Sequence, residues 1–373
     1  MTTGNRTLPV VTRVQRSELM RMGPEWESLV AGSQVRSAFM TWPWVSAWLD
    51  TLGRDADLEV FAARHPADGR LLGVAPFYVA PERKFGIPFR SLRLIGSGPA
   101  APDHLDMPIA TGEDPAVVAH LWEAVDLRRR WDLIDFDGMA IDGVLPGLLL
   151  RRRGDGAEET PCPHLPLDGG WDLVKQRFGR SHRQNIDRYR RKLDREAGAP
   201  VVTRMVATTS DLEETMDHLA VMHQTVRTAR GDLGAFATDE LVAFHRETAR
   251  RMLAAGRLRL WRLDVGESPI AIIECFRVGE VVSFYTTGFD PAWARFGPGR
   301  AIMARAIHGA IDEGAREFDF LRGDEGYKQS WGTDTRMDLR LRRPLRPRGR
   351  AIWAGRNALE RLKSVGGALR PRT

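Results

Sequence analysis

The stretch FLRGDEGYKQSWG, beginning at Phe320, places two acids, a phenol and an ammonium within a few residues of an apolar strand-like run. Tyr327 could protonate a leaving thiolate and Lys328 could hold a carbonyl oxygen, while Asp324 or Glu325 could hold a water as base. Glu274, a lone carboxylate in IAIIECFRV, reads as a general base with a raised pKa, as an inert hydrogen-bonded core acid, or as a solvent-facing residue. Asp319 alternates with Phe318 and Phe320, so it faces the other side of the strand and needs a partner; Arg322 or Lys328 could supply one. Whether that pair fixes a turn or meets a substrate is open at this level.

A second constellation lies upstream, in GFDPAWARFGPGRAIMARAI. Gly297 and Gly299 open a helix, and its exposed amides with Arg295 and Arg300 suit a phosphate or pyrophosphate. The same residues also read as an ordinary helix start, since Pro298 donates no N–H. Tyr285 and Thr287, on the preceding strand, would line that ligand or belong to the core. Asp103, His104 and Asp106 in SGPAAPDHLD occupy the equivalent junction of the first half. They suit acceptor binding, or equally an Asp-rich loop capping its own backbone. No H-x-x-x-H pair and no Cys partner at ligand spacing suggests a metal, and no activated Ser or Cys suggests a covalent intermediate. His182 and His223 are expected on the surface.

The elements that must carry these residues occur twice. LRLWRLDVGESPIAIIECFRVG reads strand, turn, strand; VVSFYTTG is a third strand, RAIMARAIHGAIDEG a helix, and EFDFL (Glu317 to Leu321) a final strand. LEVFAARHPADGRLLGVAPFYV, SLRLIGSG, PAVVAHLWEAVDLRRR and WDLIDF repeat that order roughly 185–200 residues earlier. The expectation is an α/β protein of two tandem units, each a mixed, mostly antiparallel sheet flanked by helices. The units cover 1–155 and 200–345, with a linker over 156–199 and a basic tail over 346–373. In the linker, Ser181 is expected to cap a helix, Gly198 to end it, and Ile186, Tyr189 and Leu193 to form its apolar stripe.

The chain has 373 residues and a formal net charge of +6. From Arg340 onward eleven Arg/Lys face one acid, a charge of +10, so the remainder carries −4. The residues 175–196 form a second basic run, nine Arg/Lys to three acids. No apolar run reaches the roughly 18–20 residues of a membrane span, no secretory leader is evident, and two cysteines make no disulfide framework. A cytoplasmic protein is expected, with a tail that could lie on the inner face of a membrane through Ile352, Trp353, Leu359 and Leu362 or, as is more common, pack on the body as a helix or stay a disordered basic end.

Four stretches, FMTWPWVSAWL, SHRQNIDRYRRKL, GFDPAWARFGPGRAIMARAI and EFDFLRGDEGYKQSWG, resemble the GNAT acyltransferase superfamily, and within it the CelD/BcsL-type, FemAB-like branch. The resemblance implies two GNAT-like units, the first degenerate and the second holding acetyl-CoA or another acyl-CoA. Splayed strands would hold its pantetheine and a helix N-terminus its pyrophosphate. It also implies transfer to a small-molecule or saccharide acceptor, as in envelope polysaccharide biosynthesis, with Asp103, His104, Asp106, Asp319 and Arg322 lining the acceptor cleft. In the family's Gln/Arg-x-x-Gly-x-Gly/Ala pattern the basic place is filled here by Ala294. YKQSWG is similar to the Lys-aromatic motif of the Fem peptidyltransferases, which implies aminoacyl-tRNA as an alternative donor, with the 175–196 run meeting its phosphates. A scaffold without catalysis is the remaining reading.

Overall fold

The computed structural model describes residues 8–113, 115–150 and 157–355. Twelve strands form a single sheet, most of them rich in Val, Ile, Leu and Phe. In the first half these are β1 (Val10–Val14), β2 (Asp57–Arg64), β3 (Leu71–Lys84), β4 (Ile87–Leu94), β5 (Leu133–Ala140) and β6 (Ala157–Pro166). In the second they are β7 (Val201–Met205), β8 (Leu258–Val265), β9 (Ser268–Val278), β10 (Val281–Phe289), β11 (Glu317–Asp319) and β12 (Asp334–Pro344). Their spatial order is β1-β2-β3-β4-β5-β12-β6-β11-β10-β9-β8-β7. Reading inward from either edge gives the same plan. Three antiparallel pairings are followed by one parallel pairing, β4 with β5 and β10 with β11, each made across a helix.

The centre departs from a simple tandem. β6 pairs antiparallel with β11 of the second unit, and β12 pairs antiparallel with β5 of the first. The two exchanged strands then pair with each other. Residues expected as linker therefore supply a strand of the second sheet half, and the last strand of the second unit completes the first. Pro161 and Pro163 in β6 lack N–H groups, but their carbonyls accept from Gly323 N–H (3.0 Å) and Phe320 N–H (2.9 Å).

One buried cluster runs across both units on one face of the sheet. Its joint is aromatic: Trp44 meets Phe244 at 4.9 Å and Tyr285 at 5.3 Å, and Phe39 meets Phe276 at 6.3 Å, all between ring centroids. Burying side chains of this size contributes about 1.5–3 kcal/mol each. A second cluster fills the other face of the second unit beneath helix Pro298–Asp312, and there Trp331 is an interior anchor.

The basic run forms helix Arg180–Glu196, with Ile186 and Leu193 buried. Gly179, not Ser181, stands at its cap position, and no side chain caps it. Gly198 adopts a left-handed φ of 73° just beyond its end. In the tail, Ile352 packs on Phe89 and Leu133 of the first unit, so it is turned inward rather than toward a membrane; Leu359 and Leu362 lie outside the described residues. Among the described residues no helix is long and apolar enough to cross a membrane.

Candidate active site

β10 and β11 keep register only at Val281–Glu317, Val282–Phe318 and Ser283–Asp319. The strand expected to reach Leu321 stops at Asp319 for a physical reason. Leu321 takes a left-handed φ of 57°, its N–H held by Asp319 Oδ1 at 2.8 Å, and the chain turns away to follow β6. β10 carries an irregularity between Phe284 and Thr286 on its other edge. Among the described residues its β11-facing edge has no ladder partner from Phe284 onward, which leaves a gap with backbone groups for a ligand to use.

Beyond β10, the turn Pro291–Phe296 enters helix Pro298–Asp312 through Gly297, at φ 60°. That φ favours glycine, and a side chain there would stand 3.1 Å from the Tyr189 ring, which would have to give way slightly. Arg188 and Arg300 lie over Tyr189 (5.3 and 5.8 Å to the ring centroid), and Lys192 and Arg295 over Phe296 (5.3 and 4.7 Å). Two rings thus hold four cations around a helix N-terminus, a positive seat for an anion. Arg188 and Lys192 come from the supposed linker and were missed as site residues; the basic run was their signal. Tyr285 and Thr287 do not offer polar groups to the gap. Tyr285 Oη donates to Ala100 O (2.9 Å) and Thr287 Oγ1 to Ile272 O (2.7 Å).

Loop 98–106 of the first unit is pressed against this region, and it brings the expected acceptor residues together. Arg322 pairs with Asp103 through its guanidinium, takes Asp103 Oδ2 on its amide (2.8 Å), reaches Asp137 (3.2 Å) and donates to Pro102 O. His104 has a left-handed φ of 55° and spans two acids, Nε2 to Asp319 Oδ2 (2.8 Å) and Nδ1 to Asp338 Oδ1 (2.7 Å). Burial works against a charge on His104, yet Asp319 and Asp338 hold its pKa well above the usual histidine value. Burial raises Asp103 to about 6 against the pull of Arg322. Burial likewise raises Asp106 to about 6, although its carboxylate accepts from the amides of Leu145 (2.8 Å), Met107 (2.8 Å) and Val144 (2.7 Å). Asp106 thus holds one amide of its own loop and two at the start of helix Val144–Leu150.

A cavity of about 490 Å³ lies between the units, lined among others by His104, Asp106, Ser283, Asp319 and Arg336. Ser283 and Asp319 are also the last paired residues before β10 and β11 part. The cavity and the gap therefore meet at one pair of residues. In the first unit the corresponding gap is closed by its own chain, because Leu105 bridges Met139 and its N–H bonds Gly138 O at 2.7 Å.

The other expected groups are spread out. Lys328 is buried, and its Nζ donates to Arg322 O (2.7 Å) and Leu321 O (3.3 Å) and pairs with Glu325 (2.9 Å), so it braces the turn after β11. Tyr327 is 44% exposed. Desolvation, with Glu325 beside it, raises its phenol pKa, while Arg227 of helix Thr209–Ala229 pulls it back. Asp324 is exposed and accepts from Gln329 (3.3 Å). Glu274 is buried on β9, with β10 between it and the gap, and burial alone raises its pKa to about 8. Neither of its oxygens has a hydrogen-bonding partner among the described residues, so it is neither solvent-facing nor hydrogen-bonded. His182 and His223 are also buried, against expectation: His182 between Phe178 and Trp331, His223 bonding Thr287 O (2.9 Å) and Thr286 Oγ1 (3.2 Å). Desolvation, with Arg300 adding to it, lowers His182 to about 4. Each lies on a helix whose neighbouring polar residues masked its inward phase.

Residues 180–329 match the family model described as an acetyltransferase (GNAT) domain. Over nearly the whole chain the fold is that of a solved FemX, with a TM-score of 0.64 at 11% identity, covering 90% of this chain and 97% of that one. Residues 180–329 thus carry a GNAT domain, and the whole chain shares the fold of FemX. L-PGS from Bacillus licheniformis also shares the fold, with a TM-score of 0.55 at 10% identity over 91% of this chain and 96% of that one. A Bacteroides thetaiotaomicron protein of unknown function does so at a TM-score of 0.57 and 12% identity, covering 91% and 100%. No curated protein matches by sequence. The matched segment contains the open gap and the four-cation seat, whereas the closed gap belongs to the unmatched first unit.

Proposed function

We propose that the protein transfers an acyl group from an acyl-CoA to an amine or hydroxyl of a small molecule or saccharide. One observation carries this reading: the gap between β10 and β11 opens at Ser283 and Asp319, where the inter-unit cavity ends. A thioester lying along β10 would meet an acceptor held in the cavity, and juxtaposition of that kind removes much of the entropic barrier to reaction. The donor's phosphates would sit among Arg188, Lys192, Arg295 and Arg300 at Gly297 and Gly299. Backbone amides of β10 beyond Phe284 would stabilise the oxyanion, and Tyr327 would protonate the departing thiolate. Asp319 and Arg336 would orient the acceptor. Glu274, one strand away, would act as base only through an intervening water. Lys328, with its donors committed, would position the turn rather than touch substrate.

Calorimetric titration with acetyl-CoA tests the donor. Micromolar binding that is lost in Gly299→Glu supports the reading, and no binding by the wild type overturns it. The second reading, an aminoacyl-tRNA donor, is favoured by the basic helix Arg180–Glu196 beside the seat and by the likeness to FemX. A gel shift with charged tRNA separates the two.

A further inference from the structure

His104, Cys162 and Asp338 come from a loop of the first unit, from β6 and from β12, and their ligating atoms lie within 4.8 Å of one another. Cys162 and Asp338 are buried and the His104 side chain is 12% exposed. Neutral imidazole, thiolate and carboxylate are the donor types that bind zinc, and their mixture excludes the oxygen-only preference of calcium or magnesium.

A further feature is independent of that proximity. The ring nitrogen of His104 turned away from Asp338 is held by Asp319 at 2.8 Å. A carboxylate on the outer nitrogen of a histidine is the usual support of a metal-bound imidazole, because it fixes the ring and its tautomer. Among the described residues the Asp338 carboxylate accepts only from His104, through the amide (2.8 Å) and the ring (2.7 Å).

We propose that His104, Cys162 and Asp338 bind a divalent transition-metal ion, zinc by preference, with Asp319 as the outer support of His104. The ion ties the first unit's loop to both exchanged strands. Three protein ligands leave a tetrahedral ion one position for water, and His104 is the ligand that lines the inter-unit cavity. The proposal is independent of which acyl donor the protein uses.

The test uses the full-length protein. Elemental analysis of the purified chain is expected to find about one zinc per molecule, as one such site holds. After chelation, Co(II) titration is expected to give visible bands of a four-coordinate ion and a thiolate-to-cobalt charge-transfer band. Cys162→Ser removes the charge-transfer band, and Cys275→Ser, at the other buried thiol, leaves it unchanged. Zinc raises the melting temperature of the stripped wild type and not of Asp338→Asn. Absence of both retained metal and cobalt bands in the wild type overturns the proposal without reference to any variant's folding, and so does a charge-transfer band that survives Cys162→Ser.

Discussion

A carboxylate with no partner is the clearest liability at the scale of single residues. Glu274 has its pKa raised to about 8 by burial, so the folded protein holds a proton there that the unfolded chain has lost above the ordinary carboxylate range. Stability contributed by the neutral form is complete at acid pH. It declines as pH rises from the unfolded pKa to the folded one, by about 1.4 kcal/mol per pH unit at most. The melting temperature of the wild type is therefore expected to fall between pH 5 and pH 8, and Glu274→Gln to flatten that fall. Parallel profiles for the two proteins would remove Glu274 as its source. Tyr327 makes a different prediction, since it is exposed and bonds no core. Tyr327→Phe should lower turnover about 10- to 100-fold with acetyl-CoA affinity unchanged, as the loss of a general acid would. A weakened affinity instead would mean the phenol binds the donor. At this scale the sequence was partly legible. Gly297, Gly299, Arg295 and Arg300 stand together at the helix entry, and Asp103 and Arg322 contact each other. The burial of His182 and His223 was hidden, because a polar helical segment does not reveal which of its polar residues turns inward.

Elements decide how these residues meet. The four-cation seat joins the turn before helix Pro298–Asp312 to helix Arg180–Glu196, two segments far apart in sequence. Replacing Arg188 and Arg300 together with Ala should weaken acetyl-CoA binding about a hundredfold or more and flatten its salt dependence, since each charge-assisted phosphate contact is worth about 1.5–3 kcal/mol. Unchanged calorimetric affinity would place the phosphates elsewhere. Arg322 is a second junction. Its guanidinium serves Asp103 and Asp137, and Gly138 has no side chain because one would collide with it. Arg322→Met leaves Asp103 buried without its charge partner, at a cost of about 3–5 kcal/mol, read from the urea midpoint. The repeated strand-helix-strand order was legible from periodicity. β6 was not, because three prolines within ten residues argue against a central strand. The pairing of β12 with β5 was also invisible, since hydrophobic alternation predicts a strand without naming its neighbour.

For the whole molecule, a continuous sheet and a core shared across the aromatic joint imply that the units unfold together. Denaturation followed by circular dichroism and by tryptophan fluorescence should give coincident single transitions, with a urea dependence appropriate to the full chain. Two separated transitions would show that the exchanged strands do not couple the halves. His104 and Asp338, 234 residues apart, owe their contact to that exchange. No local pattern in the sequence could have announced it.

The reciprocal placement of β6 and β12 also bears on ancestry. The pseudo-twofold axis passes between these two strands, and each unit gives its final strand to the other. A single ancestral unit with one such strand would have been completed by a second copy, as a swapped homodimer. Gene duplication and fusion would have made that dimer covalent. One copy could then let its loop close its donor gap while the other kept the gap open. The feature that ties the two halves together is thus the same one that freed them to diverge.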